Sequence, residues 1–103
     1  MTELRDLQEL VATVRRERGF TMDAVKIFTL LNEVIGEVAS ELKRTWSANY
    51  AEFSEERLKM ELADVLFCLI ALANQFDINL EEALADKINK DKHRVWKSAD
   101  IKL

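Results

Sequence analysis

The chain has 103 residues, which is enough for one small domain over residues 1–103. A domain of this size buries a limited fraction of its surface. Proline is absent and glycine occurs only twice, so the composition predicts an all-α fold rather than a sheet protein. The formal net charge of -4 argues against a protein that binds nucleic-acid polymers, because such proteins neutralise phosphates with clustered Lys and Arg. It does not exclude a nucleotide as a small ligand.

The first two of four predicted helices have recognisable ends. Thr2 is a suitable N-cap for the first helix, and Gly19 fits its carboxyl end. Thr21 is a suitable N-cap for a second, longer helix with an apolar stripe. This helix is expected to end near Lys43 and Arg44, where cations suit the helix C-terminus.

The third and fourth helices follow a segment, residues 45–53, that lacks helical periodicity and is predicted to be a loop. Ser54, followed by two glutamates, predicts the start of a third helix that runs to about Phe76. Asn79 and the glutamate three residues later predict a capping box that opens a fourth helix toward Arg94.

The third helix contains an apolar run from Leu62 to Ala73 that only Asp64 interrupts. The run covers 12 residues, short of the roughly 20 that span a bilayer, so no membrane interaction is expected and the protein is predicted to be cytoplasmic. Cys68, within the run, is predicted to be a buried and inert thiol. Because the helix is apolar on more than one side, a homodimer or homotetramer is favoured over a monomeric bundle.

Two carboxylates lie side by side on this helix. Glu61 and Asp64 are three residues apart and therefore share a helix face. An ionised carboxylate in apolar surroundings is costly unless it pairs with a cation or coordinates a metal. The pair is therefore predicted to be one half of a site for a hard cation.

The second helix carries an acidic stripe, Glu33, Glu37 and Glu41, at intervals of four residues. Such a stripe is either a solvated face or a cation site. If the second and third helices pack antiparallel, four or five carboxylates converge on a site suited to Mg²⁺ or Mn²⁺. Zinc and di-iron centres are disfavoured, because His93 lacks the neighbouring ligands they need. Magnesium often shares its ligand shell with substrate phosphates, so the site indicates phosphate chemistry.

The fourth helix supplies positive charge. Lys87, Lys90 and Arg94 follow one another at steps of three and four and share a face that could hold a polyphosphate. The alternative is a solvated cationic helix end that complements the helix dipole.

These residues together resemble the MazG-like all-alpha nucleoside triphosphate pyrophosphohydrolases, over about residues 18–96. The relatives share a helix written Glu-Glu-x-x-Glu and, after a loop, Glu-x-x-Asp on the next helix. Glu61-Leu-Ala-Asp64 matches the second motif. When Gly36-Glu37 is aligned on the family's Gly-Glu, Glu33 is the first Glu of the pair and Val34 occupies the position of the second. One usual ligand is thus absent, and Glu33 or Glu41 could replace it.

The resemblance implies Mg²⁺-dependent hydrolysis of a nucleoside triphosphate to the monophosphate and pyrophosphate, often as removal of noncanonical or surplus deoxynucleotides. It implies that Glu37, Glu61 and Asp64 are metal ligands and that Glu33 is a ligand or the base that orients water. It implies also that Lys87, Lys90 and Arg94 bind phosphates.

Two substrate-binding assignments are less direct. Asp91 is expected to contact a phosphate or the sugar of the substrate, but relatives commonly carry Asn at this position. The negative charge of Asp91 opposes a phosphate contact. Trp46, in the loop, is expected either to stack on the base or cover the site, or else simply to pack. The alternatives to an NTP pyrophosphohydrolase are a module on the same scaffold that binds nucleotide or oligomerises with little turnover, and a related branch that hydrolyses phosphoribosyl-ATP.

Overall fold

The computed structural model describes residues 3–95, which form four α-helices and no strand. The helices are α1 (Leu4–Glu17), α2 (Ala24–Lys43), α3 (Glu55–Asn74) and α4 (Leu80–Lys92). The predicted all-α four-helix fold and the loop between the second and third helices are therefore confirmed. Within residues 3–95, no helix has the length and hydropathy needed to cross a membrane.

Two of the predicted helix starts are correct. The Ser54 side chain accepts a hydrogen bond from the Arg57 amide at 3.2 Å, and the Asn79 side chain accepts one from the Glu82 amide at 3.1 Å. Each bond satisfies one of the amide groups that the first turn of a helix leaves without an intrahelical partner. Local sequence therefore determines where α3 and α4 begin.

The predicted N-cap of the second helix is wrong. Asp23, and not Thr21, caps α2, because Asp23 Oδ1 accepts a hydrogen bond from the Lys26 amide at 3.0 Å. The Thr21 hydroxyl instead accepts a bond from the Asp23 amide at 3.1 Å and so orders the connection before the cap. For α1 the N-cap is Glu3, and Thr2 lies outside the described residues.

Two residues with positive φ end the first and third helices. Gly19, with φ of +67°, closes α1 in a Schellman motif in which the Phe20 amide donates to the Arg15 carbonyl at 3.0 Å. Asp77, with φ of +53°, does the same for α3, where the Ile78 amide donates to the Ala73 carbonyl at 3.1 Å. The third helix thus ends within two residues of the predicted Phe76.

The core lies between α1, α2 and α3. Ile27 of α2 is fully buried and packs with Ile70 and Ala71 of α3 and with Val11 of α1. Glu41, near the carboxyl end of α2, bonds to Arg57, near the amino end of α3, so the two helices are antiparallel. They form the most extensive helix pair of the fold.

Gln8, which is buried, fastens α1 to the turn between α3 and α4. Its Nε2 donates to Asn74 Oδ1 at 3.0 Å and to the Ile78 carbonyl at 2.9 Å. Its Oε1 accepts from the Leu80 amide at 3.0 Å. All the hydrogen-bonding groups of this buried amide are therefore satisfied, and they fix the direction in which α4 leaves α3.

The fourth helix is loosely attached. It packs against α1 and makes no comparable contact with α2 or α3, and none of its residues is buried. Large apolar side chains are exposed on α2, α3 and α4, including Val25, Phe28, Leu62, Leu66 and Leu84. The radius of gyration is 16.8 Å, whereas a compact domain of this length has about 13 Å.

Candidate active site

The carboxylates of the two predicted motifs lie along the contact between α2 and α3. At one end of this contact Glu41 bonds to Arg57, and at the other Ile27 packs against Ala71. Ile27 and Glu41 are as far apart along α2 as Arg57 and Ala71 are along α3. The two helices therefore keep one register between these contacts. One turn inward from the Glu41–Arg57 pair, this register places Glu37 across from Glu61.

Glu61 is the member of the set whose surroundings indicate a missing partner. It is half-buried, and its Oε2 atom is out of contact with solvent and has no hydrogen-bond partner among the described residues. A carboxylate oxygen in that condition costs free energy that a cation would recover. Arg57, one turn earlier on α3, is near enough that the Glu61 charge contributes to raising its pKa, after the larger effect of Glu41.

The other predicted ligands are accessible. Glu33, Glu37 and Asp64 are exposed at the side of the α2–α3 contact. Within residues 3–95, no three side chains of the His, Cys, Asp and Glu types come close enough to hold a metal ion. The helix register thus brings Glu37 and Glu61 to facing positions, but the carboxylates do not form a ready-made cluster of three within the described residues.

Glu41 has a different position from the rest of its stripe. It is 2 % exposed, and Arg57 binds it with two bonds, Nε to Oε1 at 2.8 Å and Nη2 to Oε2 at 3.3 Å. The Ser54 amide also donates to Oε2 at 2.8 Å. The bond with Arg57 is the main reason why the pKa of Glu41 is lowered. Because both of its oxygens are engaged in joining α2 to the start of α3, Glu41 is poorly placed to supply a metal ligand.

The basic residues of α4 are on a separate part of the chain. Asp91 Oδ1 lies 3.2 Å from Lys87 Nζ and 3.9 Å from the Arg94 guanidinium, so two cations compensate its charge. Lys90 is exposed and has no acidic partner within the described residues. The α4 helix packs mainly against α1 rather than against α2 and α3, which carry the carboxylates.

Two aromatic residues follow the carboxyl end of α2. Trp46 is 76 % exposed in the turn that follows the helix. Nearby, Lys43 Nζ lies 3.9 Å from the centre of the Tyr50 ring, and a hydrogen bond with Lys43 lowers the pKa of the Tyr50 hydroxyl. Trp46 is therefore not buried against the described part of its own chain.

Three residues that organise this region were not identified from the sequence. Arg57 binds Glu41, Gln8 fixes the α3–α4 turn, and Arg15 is buried between α1 and α3. Arg57 and Gln8 bind partners distant in sequence, and Arg15 lies over the Phe67 ring of another helix, so spacing within one helix does not identify these partners. One signal was present in the sequence. Gln8 and Arg15 are seven residues apart on the stripe that includes Val11, which indicates that they face the core.

The thiol of Cys68 is buried, as predicted. Burial raises its pKa, so the thiolate that nucleophilic chemistry requires is disfavoured.

Comparison with known proteins decides the family. The family model of the MazG nucleotide pyrophosphohydrolase domain matches residues 6–97 of the chain. The chain belongs to the MazG family. The resemblance derived from Glu61-Leu-Ala-Asp64 and the helices around it is thereby confirmed.

Solved structures show the same MazG fold. The crystal structure of Bacillus subtilis YpjD, described as a candidate pyrophosphatase, is similar with a TM-score of 0.77 and 27% identity, over 92% of this chain and 98% of that chain. The crystal structure of a Bacillus-conserved MazG protein, described as a nucleotide pyrophosphohydrolase, is similar with a TM-score of 0.69 and 25% identity, over 97% of this chain and 98% of that chain.

In sequence, this MazG chain is similar to the same Bacillus subtilis YpjD, with 42% identity over 55 residues. The match covers 52% of this chain and 50% of YpjD, so the chain spans about half the length of the curated relative it matches. That relative is named as an uncharacterized protein and contributes no activity.

Proposed function

We propose that this MazG protein hydrolyses nucleoside or deoxynucleoside triphosphates to the monophosphate and pyrophosphate in a Mg²⁺-dependent reaction. Membership of the family supports the reaction class. The observation that carries the proposal to this chain's own residues is the Oε2 atom of Glu61 on α3, which is buried and has no hydrogen-bond partner among residues 3–95. The proposed role is removal of noncanonical or surplus deoxynucleotides from the nucleotide pool.

The proposed metal ligands are Glu33, Glu37, Glu61 and Asp64. Their oxygen donors suit Mg²⁺, with Mn²⁺ as the alternative. Glu41 is left out because Arg57 and the Ser54 amide occupy its oxygens. Glu33 therefore remains to compensate for Val34. When bound, the ion neutralises charge that develops on the phosphate oxygens and favours attack by water.

The protein side chains orient the substrate and the attacking water in this proposal. Glu33, exposed one turn from Glu37, is the ligand or the base that holds the water. Lys90 is the first candidate for a phosphate contact, because Asp91 pairs with Lys87 and approaches Arg94. Trp46 is exposed enough to stack on a nucleobase.

We propose further that the functional form is a homodimer or homotetramer. The exposed apolar side chains of α3 at positions 62, 66 and 69 share one face, and α2 exposes Val25 and Phe28. A second copy of the chain offers the same apolar faces and can cover them symmetrically. This accounts for a single chain that is much less compact than an ordinary domain of its length.

The test is release of pyrophosphate from a panel of canonical and modified NTPs and dNTPs, with Mg²⁺ present or chelated. We expect activity that requires the metal and that falls by more than about 100-fold in Glu61→Gln and in Asp64→Asn, because each removes a ligand charge. Glu56→Gln is the matched control, since Glu56 is an exposed carboxylate on the same helix. Full activity in Glu61→Gln would contradict the assignment.

The same panel separates the two alternatives. Val34 and Asp91 favour a module that binds nucleotide with little turnover. Such a module would bind a nonhydrolysable triphosphate in calorimetry with Mg²⁺ but release no pyrophosphate from any substrate. Turnover of phosphoribosyl-ATP in preference to every dNTP would assign the chain to that branch.

A further inference from the structure

Three polar side chains are buried within the described part of the chain, and two of them have complete partners. Gln8 uses its amide for three hydrogen bonds, and Glu41 is bound by Arg57 and the Ser54 amide. The third, Arg15, is 5 % exposed, and its Nε atom has no hydrogen-bond partner among residues 3–95. Within residues 3–95, its guanidinium makes one hydrogen bond, from Nη2 to the Thr21 carbonyl at 3.0 Å.

No carboxylate within the described residues pairs with Arg15. Its guanidinium carbon lies 5.3 Å from the centre of the Phe20 ring and 5.6 Å from that of the Phe67 ring. The ring faces offset part of the lost hydration of the cation, but they accept no directed hydrogen bond from Nε. A buried guanidinium in this condition is completed best by an oxyanion, which can accept two parallel bonds from it.

Arg15 lines a cavity of about 520 Å³ between α1, the end of α3 and the turn before α4. The volume is within the range of small-molecule sites. Arg5 and Arg16 also line it, together with the side chains of Asn74 and Gln75. Two carboxylates, Glu9 and Asp77, are exposed among the lining residues, so three cations face two anions.

The cavity is separate from the α2–α3 carboxylates. Its nearest lining residue on α3 is Ala71, two turns after Asp64, which is about 10 Å along the helix axis at 1.5 Å per residue. Glu61 is a further turn away. We propose that this cavity is a second binding site, for a small molecule that carries an oxyanion, with Arg15 as the residue that binds it. The proposal does not depend on turnover at the carboxylates.

The test uses the full chain free of metal, in a chelating buffer at constant ionic strength. Orthophosphate and acetate are titrated in separate arms, and the side-chain Nε–Hε resonance of Arg15 is followed by ¹H–¹⁵N NMR, assigned by its loss in Arg15→Lys. We expect a saturable shift, and the arm with the tighter binding identifies the phosphate or the carboxylate class. No saturable shift up to about 50 mM of either anion would overturn the proposal.

Variants separate the cavity from general charge effects. Arg16→Gln removes a cation that lines the cavity, and Arg18→Gln removes an exposed cation two residues away that does not. We expect the first to weaken binding by about three- to tenfold and the second by less than about twofold. Equal losses would show that the anion only screens surface charge, and would overturn the proposal.

Glu61→Gln distinguishes this site from the proposed active site. We expect it to bind the anion as the wild type does, even though it should abolish hydrolysis. Loss of the Arg15 shift in Glu61→Gln would place the anion at the carboxylates instead. Arg16 and Arg18 are both exposed, so their variants should fold even if substitution of Arg15 itself prevents folding. The anion affinities of these two variants can then be compared by calorimetry.

Discussion

At the scale of residues, the acidic stripe of α2 divides into two functions. Glu33 and Glu37 are exposed, whereas Glu41 is buried against Arg57. The spacing of four residues made the three glutamates equivalent in the sequence. Their difference arises from Arg57 of α3, which binds Glu41 at the last position of the stripe.

The Glu41–Arg57 pair predicts a specific response to acid. The pKa of Glu41 is lowered from its usual value of 4.5, first by its bond with Arg57. The ionised form is therefore favoured by folding, and its contribution to stability is present above pH 4.5 and is lost as the pH falls through the lower pKa of the folded state. We expect Glu41→Gln to be less stable than the wild type at pH 7 and to lose less stability on acidification, measured by urea unfolding between pH 7 and pH 3.

The control for this prediction is Glu56→Gln. Glu56 is exposed and lies 4.0 Å from Lys59, so the change of charge is the same but the pair is solvated. Its unfolding should follow the wild type at every pH. An equal response of both variants would show that acid stability comes from net charge rather than from the Glu41–Arg57 pair.

At the scale of elements, local sequence predicts the start of a helix correctly where one residue is available as the N-cap. Ser54 and Asn79 cap α3 and α4 as predicted. Asp77, two residues before Asn79, is engaged in ending α3 with a positive φ and does not compete as the cap. Before α2, Thr21 and Asp23 compete. Asp23 caps the helix, and Thr21 orders the turn.

The two glycines of the chain predict opposite effects of the same substitution. Gly36 lies inside α2, and a Cβ there would meet no atom within 4 Å, so Gly36→Ala should raise the free energy of unfolding by about 0.5–1 kcal/mol through helix propensity. Gly19 has φ of +67°, so Gly19→Ala should lower it by about 1–2 kcal/mol.

Chemical denaturation of both alanine variants, at one protein concentration, measures this difference. The comparison is matched, because each change adds one methyl group to open space and only the backbone conformation differs. A destabilised Gly36→Ala would show that this position of α2 approaches another chain or a ligand in solution.

At the scale of the whole molecule, α2 and α3 form a firm pair, while α4 packs mainly against α1. The apolar surface that this arrangement leaves uncovered is what the proposed homo-oligomer would bury. An oligomer would also provide the surroundings for Leu84 and Ile88, which α4 exposes.

The exposed face of α3 provides the test of assembly. Leu66→Glu places a charge in the middle of the face formed by positions 62, 66 and 69, and we expect it to convert a dimer or tetramer into a monomer in sedimentation equilibrium. Glu56→Lys, which reverses an exposed charge of the same helix away from the centre of that face, should leave the mass unchanged. A wild-type chain that sediments as a monomer at all concentrations would refute the proposed oligomer.

The sequence by itself determined the all-α class, the two later helix starts and the family motif Glu61-Leu-Ala-Asp64. These depend on composition, on local hydrogen-bonding groups and on helical spacing, which the chain carries within a few residues. Only the tertiary structure decided that Glu41 belongs to a structural ion pair, that Gln8 sets the direction of α4, and that Arg15 is buried with no carboxylate partner among residues 3–95. Each of these depends on a residue outside its own helix. The spacing of residues along one helix does not specify which side chains of the other helices will pack against it.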